Sequence, residues 1–347
     1  MCESQDINTC WLTVNRSCQL RCKWCYAKDD GYDAKSDMDF SLAKKLIKII
    51  KNLGSQTCKI LGGEPSIYPH IKDVINQLKL QQIRSIIISN GLQYSDKSFM
   101  QKHFDAGLDS LVISLKAGTG ESYKQLTGAN VIKKVYQAIS NLADFQGGVT
   151  ITIADEISEE IIPSLRSIVD TGARFVNLHF CSPTLISGSP ENHSMLSPDK
   201  AAEVMMKAVD SLEQLNVSYN VQISIPFCLF SSDFINSLIN KNCLTSGCIV
   251  NKKSGIIFGT RGEVGFCNHM MEYPFGRYGI DFHNATELHE LYFSQEEFFK
   301  MTNRAPSEQC LSCPVKHLCC GGCPLQWTQF QPNKYVKGGE KFVGQKY

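Results

Sequence analysis

The sequence predicts an α/β protein built on a parallel sheet with a second, cysteine-rich module behind it. Three observations predict this. Strand-like and helix-like apolar patterns alternate from residue 11 to residue 180. Hydrophobic residues make up 43% and charged residues 20%, so the chain can bury a core and is not disordered. Its 347 residues, at roughly 150 per domain, suggest two modules.

Taken in order, residues 11–15 read as the first strand, and a cysteine-bearing loop follows. Ser41 is the expected cap of a helix running to Leu53, with Leu42, Leu46, Ile49 and Ile50 on one face and Gly54 as its stop. Residues 57–61 read as a strand and 71–80 as a helix. Residues 83–89, with Ile86, Ile87 and Ile88, read as a strand buried on both faces. Asp96 starts a helix that ends at Gly107. A strand at 110–115, a helix at 131–142, a strand at 149–153, a helix at 158–170 and a strand at 175–180 complete the series. Six strands alternating with helices fit a barrel, a partial barrel or an open doubly wound sheet. Ser197 and Pro198 then open a helix over 197–215. Beyond residue 240 the text turns Gly-, Cys- and Asn-rich, with a hairpin at 254–266. The expected units are residues 8–215, residues 240–330 and a loosely held tail over 331–347.

Several classes are excluded. A net charge of +1 supplies no field for a polyanion, so duplex nucleic acid is not an expected partner. Apolar runs are far shorter than the roughly 20 residues a membrane span needs. The first residues have neither a basic nor an apolar signal segment, so a cytoplasmic, reducing compartment is expected. In such a compartment the 16 cysteines read as metal ligands or catalytic thiols rather than disulfides.

The cysteines cluster. Cys18, Cys22 and Cys25 share the loop after the first strand. Cys243, Cys248 and Cys267 lead into Cys310, Cys313, Cys319, Cys320 and Cys323. Three thiolates on one loop are one short of a closed structural zinc site, whereas a four-iron cubane held by three keeps one iron open. A zinc site completed from afar, and two zinc knuckles in the later group, remain the alternatives.

The segment Cys18-Gln19-Leu20-Arg21-Cys22-Lys23-Trp24-Cys25-Tyr26 resembles the cluster loop of the radical S-adenosylmethionine (SAM) superfamily. Leu61-Gly62-Gly63-Glu64-Pro65 after the second strand, Ser89-Asn90-Gly91 after the third, and Ser114 at the end of the fourth follow in that superfamily's order. The resemblance implies a partial (βα)6 TIM-type barrel over about residues 8–185. It implies a [4Fe–4S] cluster on Cys18, Cys22 and Cys25 that cleaves SAM to a 5′-deoxyadenosyl radical, which takes a substrate hydrogen. It places Gly62, Gly63, Glu64, Ser89, Asn90 and Ser114 at SAM, with Glu64 pairing with the ammonium, and Tyr26 over the cluster or a base. Lys116 stands where Asp is common and is a candidate partner of the SAM carboxylate.

The later cysteines resemble the SPASM extension of such enzymes, which holds two auxiliary [4Fe–4S] clusters. The implied ligands are Cys243 or a neighbour, Cys248, Cys267 and Cys323 for the first, and Cys310, Cys313 and Cys319 for the second. The final cysteine of that pattern is missing, because none follows Cys323. Cys320 should point elsewhere, Cys2 or Cys10 are candidates to fold over, and an open or non-cysteine ligation is the remaining choice.

Among single residues, Cys181 and Cys228 are candidate catalytic thiols or small core residues, and His269 is expected as a hydrogen-bonding residue. Asn268 cannot serve as the base that Asp commonly provides in sulfatase-maturing relatives. The expected function is a radical SAM/SPASM oxidoreductase that modifies a ribosomally made peptide, by crosslinking or epimerisation. The alternatives are a small-molecule substrate such as an aminosugar or nucleoside, and a non-enzymatic iron–sulfur or zinc scaffold. Expected partners are an external one-electron reductant, such as flavodoxin or ferredoxin, and a separate leader-peptide binder, since only about ten residues precede the barrel. The hairpin at 254–266 is the expected strand edge for a peptide.

Overall fold

A computed structural model describes residues 7–27, 36–191, 194–339 and 342. Strands β1 (Thr9–Thr13), β2 (Thr57–Leu61), β3 (Arg84–Ser89), β4 (Ser110–Leu115), β5 (Gly147–Ile153) and β6 (Phe175–Phe180) lie side by side, all parallel. Helices Phe40–Asn52, Ile71–Leu80, Lys97–Asp105, Ile132–Leu142 and Ile161–Asp170 connect them. This is an α/β fold of the partial-barrel type.

Alternating strand faces explain the arrangement. Val149, Ile151 and Ile153 of β5 and Val176 and Leu178 of β6 are fully buried in the apolar core. Their neighbours Thr150, Thr152, Asn177 and His179 point to the opposite face. The first helix is capped by Asp39, not Ser41: its Oδ1 accepts from the amides of Ser41 at 2.8 Å and Leu42 at 3.3 Å. A further helix, Gly120–Thr127, was not legible in the pattern because it is only eight residues long. Thr119 caps it and Gly128, at φ 82°, ends it.

The chain then departs from the expected division. After the small hairpin of β7 (Thr184–Ile186) and β8 (Ser189–Glu191) and the helix Pro198–Gln214, strand β9 (Ser218–Ile223) joins β6 in parallel. Strand β10 (Leu244–Ser246) joins β9 in turn. The parallel sheet therefore runs on through residues 215–240, where a module boundary was expected. On the other flank, β11 (Gly255–Phe258) pairs in parallel with β1. It continues antiparallel into β12 (Glu263–Gly265) and β13 (Gly276–Arg277).

The hairpin at 254–266 is thus present, but it is not a free edge. Strand β11 is paired on both sides, and β12 is flanked by β11 and β13. Nor is the final segment wholly loose: it carries a short helix, Pro332–Tyr335, and buries Val336 and Phe342. Residues 340–341 and 343–347 of that tail lie outside the described residues. Among the described residues, no helix is long and apolar enough to cross a membrane.

Candidate active site at the strand ends

Cys18, Cys22 and Cys25 occupy the loop that leaves β1. Two backbone bonds tie it to the end of helix Gly120–Thr127: Arg21 N–H to Thr127 at 2.8 Å and Lys23 N–H to Leu126 at 3.0 Å. Amides of Leu20 and Ala27 donate to the Cys18 and Cys25 sulfurs, each at 3.4 Å. Burial raises the Cys18 thiol to about 12, and nearby Glu64, Cys22 and Cys25 push it further up. A bound cation reverses that balance by stabilising thiolate, so these groups fit a metal cluster.

The Gly62-Gly63 pair has a steric reason. The loop after β2 packs directly on the loop after β1, with Gly63 N–H on Asn15 O at 2.9 Å and Glu64 N–H on Ser17 O at 2.7 Å. A Cβ on Gly62 would collide with Asn15, and one on Gly63 with the carbonyls of Arg16 and Ser17.

Glu64 is a buried brace. Its Oε1 accepts from Ser89 Oγ at 2.7 Å and Ser66 N–H at 3.0 Å, and its Oε2 from Asn90 N–H at 2.7 Å. Burial pushes its carboxyl up, while these hydrogen bonds hold it down. The expected pairing with a SAM ammonium must therefore use the one acceptor position left on Oε2. Asn90 carries the link onward, donating to Gln19 Oε1 at 3.1 Å with Cys18 Sγ 3.8 Å away. Tyr26 donates to the Gly62 carbonyl at 3.2 Å, and its ring meets His269 edge-on at 6.0 Å. Ser114 is buried at the end of β4, and Lys116 just beyond it faces His179 electrostatically.

Cys181 follows the last residue of β6. It is buried against the apolar core, its N–H bonded to Ile153 O at 2.9 Å. Thr184 and Leu185 line a polar cavity, together with Arg16, Tyr26, Asn268 and Glu272. His269 accepts from or donates to Thr184 Oγ1 at 2.9 Å, and burial lowers its imidazole to about 4. It is a neutral hydrogen-bonding residue at pH 7.

A polar row was missed in the sequence. Thr150, Asn177 and Asn220 sit in register across β5, β6 and β9. Asn177 bonds Thr150 at 3.2 Å, Asn220 bonds Asn177 at 2.8 Å, and Thr245 bonds Asn220 at 3.2 Å. His179 is held by Thr150 at 3.1 Å and Thr152 at 2.8 Å. The signal was the polar-apolar alternation of Thr-x-Thr, Asn-x-His and Asn-x-Gln.

The later cysteines fall into two sets. Burial raises the Cys323 thiol to about 12, and Cys248 pushes it further. The Cys267 thiol is raised by burial, then by Cys248 and Cys323. Cys320 Sγ lies beside Gly247 and raises the Cys248 thiol, so it neighbours this first set. Cys243 does not join it. Its thiol lies against Tyr219 and the Leu238 carbonyl, 3.5 Å away. The second set holds Cys310, Cys313 and Cys319: Cys313 adds to the upward push on both Cys310 and Cys319. Cys10 is buried opposite Cys58 in the β1–β2 register and does not fold over to this set, and Cys2 lies outside the described residues. Among the described residues, no three Cys, His, Asp or Glu side chains close around a single ion. A cubane asks for a wider spread, with each thiolate on its own iron.

A thiol loop beside close-packed glycines at the ends of parallel strands defines a cluster- and cofactor-binding barrel. Residues 12–163 match the family model of the radical SAM superfamily. A probable GTP 3′,8-cyclase of Methanococcus maripaludis is 29% identical over 136 residues, 39% of this chain and 45% of that protein. The chain thus matches less than half the length of this curated relative. Streptococcus suis SuiB bound to precursor peptide SuiA has the same fold, with TM-score 0.73 at 15% identity, over 96% of this chain and 75% of that one. The structure described as native anSMEcpe with bound AdoMet gives TM-score 0.68 at 16% identity, over 94% of this chain and 96% of that one. Residues 12–163 thus carry a radical SAM domain, and a cysteine-rich C-terminal extension follows it. Its family implies SAM and a [4Fe–4S] cluster.

Proposed function

We propose that this enzyme is a SPASM-type oxidoreductase that modifies a residue of a ribosomally made peptide. The observation that carries the reading is the sorting of the C-terminal thiols into two separate sets, one at Cys248, Cys267 and Cys323 and one at Cys310, Cys313 and Cys319. Each would hold an auxiliary [4Fe–4S] cluster. Cys18, Cys22 and Cys25 would hold the SAM-binding cluster, which supplies the electron that cleaves SAM to a 5′-deoxyadenosyl radical. The chain's own residues do the positioning. Gly62 and Gly63 let the two loops close, Glu64 fixes Ser89 and Asn90, and Ser114 and Lys116 stand at the next strand end. The polar row from Thr150 to Thr245 offers hydrogen bonds to a substrate backbone. Holding a target carbon close to the reacting 5′-carbon is the main protein contribution in such chemistry.

SuiB, of similar fold, is described with its precursor peptide, which supports a peptide substrate. Because the hairpin at 254–266 is paired on its flanks, the peptide would enter by the polar cavity at Arg16, Thr184 and Glu272. An external one-electron reductant such as flavodoxin or ferredoxin, and a separate leader binder, complete the scheme. The second reading is a small molecule such as a nucleoside, favoured by the cyclase likeness of the barrel half. Deuterium transfer tests the choice. The protein is incubated anaerobically with reductant, SAM and a deuterated candidate. Label in 5′-deoxyadenosine from a peptide encoded beside the enzyme supports the proposal. Label from a nucleoside or aminosugar, and none from that peptide, overturns it.

A further inference from the structure

We propose that Cys228 supplies the fourth thiolate of the cluster held by Cys310, Cys313 and Cys319, in place of a cysteine downstream of Cys323. The inference rests on the reading of that set as an auxiliary cluster site. Cys228 sits in the 3-10 turn Phe227–Leu229 that follows β9, so it belongs by sequence to the barrel.

Three contacts bring it to the extension. First, the 319–323 loop docks on the segment before Cys228: the Cys323 amide donates to the Ser224 carbonyl at 2.7 Å, and the Phe227 amide donates to Cys319 Sγ at 3.3 Å. Second, the strap at 337–339 covers both sides of the set. The Lys337 amide donates to Cys228 Sγ at 3.4 Å, while Gly339 lies so close to Cys313 Sγ that a Cβ there would collide with it. Third, Cys228 acts electrostatically on both Cys310 and Cys319, the two thiols at opposite ends of the C-x2-C-x5-C run. Amide hydrogen bonds to sulfur, as from Phe227 and Lys337, are a feature that tunes iron–sulfur potentials.

The adjacent residue explains why Cys320 is not the fourth ligand. Cys320 ends the helix Lys316–Cys319 in the left-handed conformation, at φ 52°. Its Sγ lies beside Gly247, next to Cys248, and adds to the upward push on the Cys248 thiol. Neighbouring cysteines in the chain serve opposite sets.

The test uses the full chain carrying Cys18→Ala, Cys22→Ala and Cys25→Ala, which isolates the extension. After anaerobic reconstitution this parent should hold about eight irons, in two four-iron clusters. Adding Cys228→Ala should either halve the iron or, on mild oxidation, give the electron paramagnetic resonance signal of a cluster that has lost the iron left without a thiolate. Cys228→Ser, nearly isosteric, should keep the iron and shift the spectrum, which separates ligation from folding. A parent with about eight irons and no change in iron or spectrum for either Cys228 variant overturns the assignment and leaves the two-cluster reading intact. A parent with about four irons or fewer overturns both.

Discussion

The cysteine loop at the mouth of the barrel and the cysteine groups of the extension are built in different ways. In the barrel, Cys18, Cys22 and Cys25 come from one short loop, and their surroundings are strand ends fixed by the parallel register. In the extension, thiols arrive from several segments, and side-by-side residues Cys319 and Cys320 face different sets. Local spacing therefore defines the first site, whereas tertiary docking defines the second. A site of the first kind should fail as a unit when one part is lost. Sites of the second kind should fail one ligand at a time.

The largest expected effect follows from the mouth loop. Replacing Cys18, Cys22 and Cys25 by Ala should remove about a third of the iron and all SAM cleavage. This is measured by iron assay and by 5′-deoxyadenosine release. Retained cleavage would break the assignment. Gly63→Ala should come next, because the added Cβ meets the Arg16 and Ser17 carbonyls. SAM cleavage should fall by about tenfold or more, one tenfold step being ~1.4 kcal/mol in barrier, while extension iron stays. Normal activity in this variant would show that the two loops need not close.

The extension sharpens the contrast. Cys320→Ala should perturb the spectrum of the cluster at Cys248, Cys267 and Cys323, while Cys243→Ala should leave iron and spectrum unchanged. The reverse pattern would restore the order that family spacing implies. A smaller effect is expected for Glu64→Gln. The amide cannot accept from Ser66, Ser89 and Asn90 together, so the brace loosens. SAM affinity should drop roughly 10- to 150-fold, the ~1.5–3 kcal/mol of a charge-assisted hydrogen bond, with iron retained. Titration calorimetry with SAM measures it, and unchanged affinity would exclude Glu64 from the site.

The smallest effect is a pH dependence. Burial holds His179 at about 3, well below its ordinary 6.5, with Lys116 adding to the shift. The unfolded chain then binds a proton that the folded chain refuses. Stability should fall as pH drops from about 6.5 towards about 3. His179→Gln should flatten the melting temperature between pH 6.5 and 5, and an unchanged slope would assign the loss to other groups.

How far the sequence was legible follows the same contrast. The strands at 57–61, 110–115 and 175–180 match their patterns because buried apolar alternation is a local signal. The Cys18 loop and the Gly62-Gly63-Glu64 segment were legible for the same reason. What Glu64 touches was not, since Ser89 and Asn90 lie on another strand end. Strands β9 and β10 were hidden because their polar residues face a row that only the sheet creates. Cys228 read as a lone thiol, since nothing in its local sequence points to Cys319.

The central claim, that this chain carries one cluster in the barrel and two in its extension, is tested most directly by Mössbauer spectroscopy with metal analysis on the anaerobically reconstituted full chain. About twelve irons per chain are expected, all in cubane [4Fe–4S] clusters. Stoichiometric zinc in the extension, with iron limited to about four per chain, would contradict it.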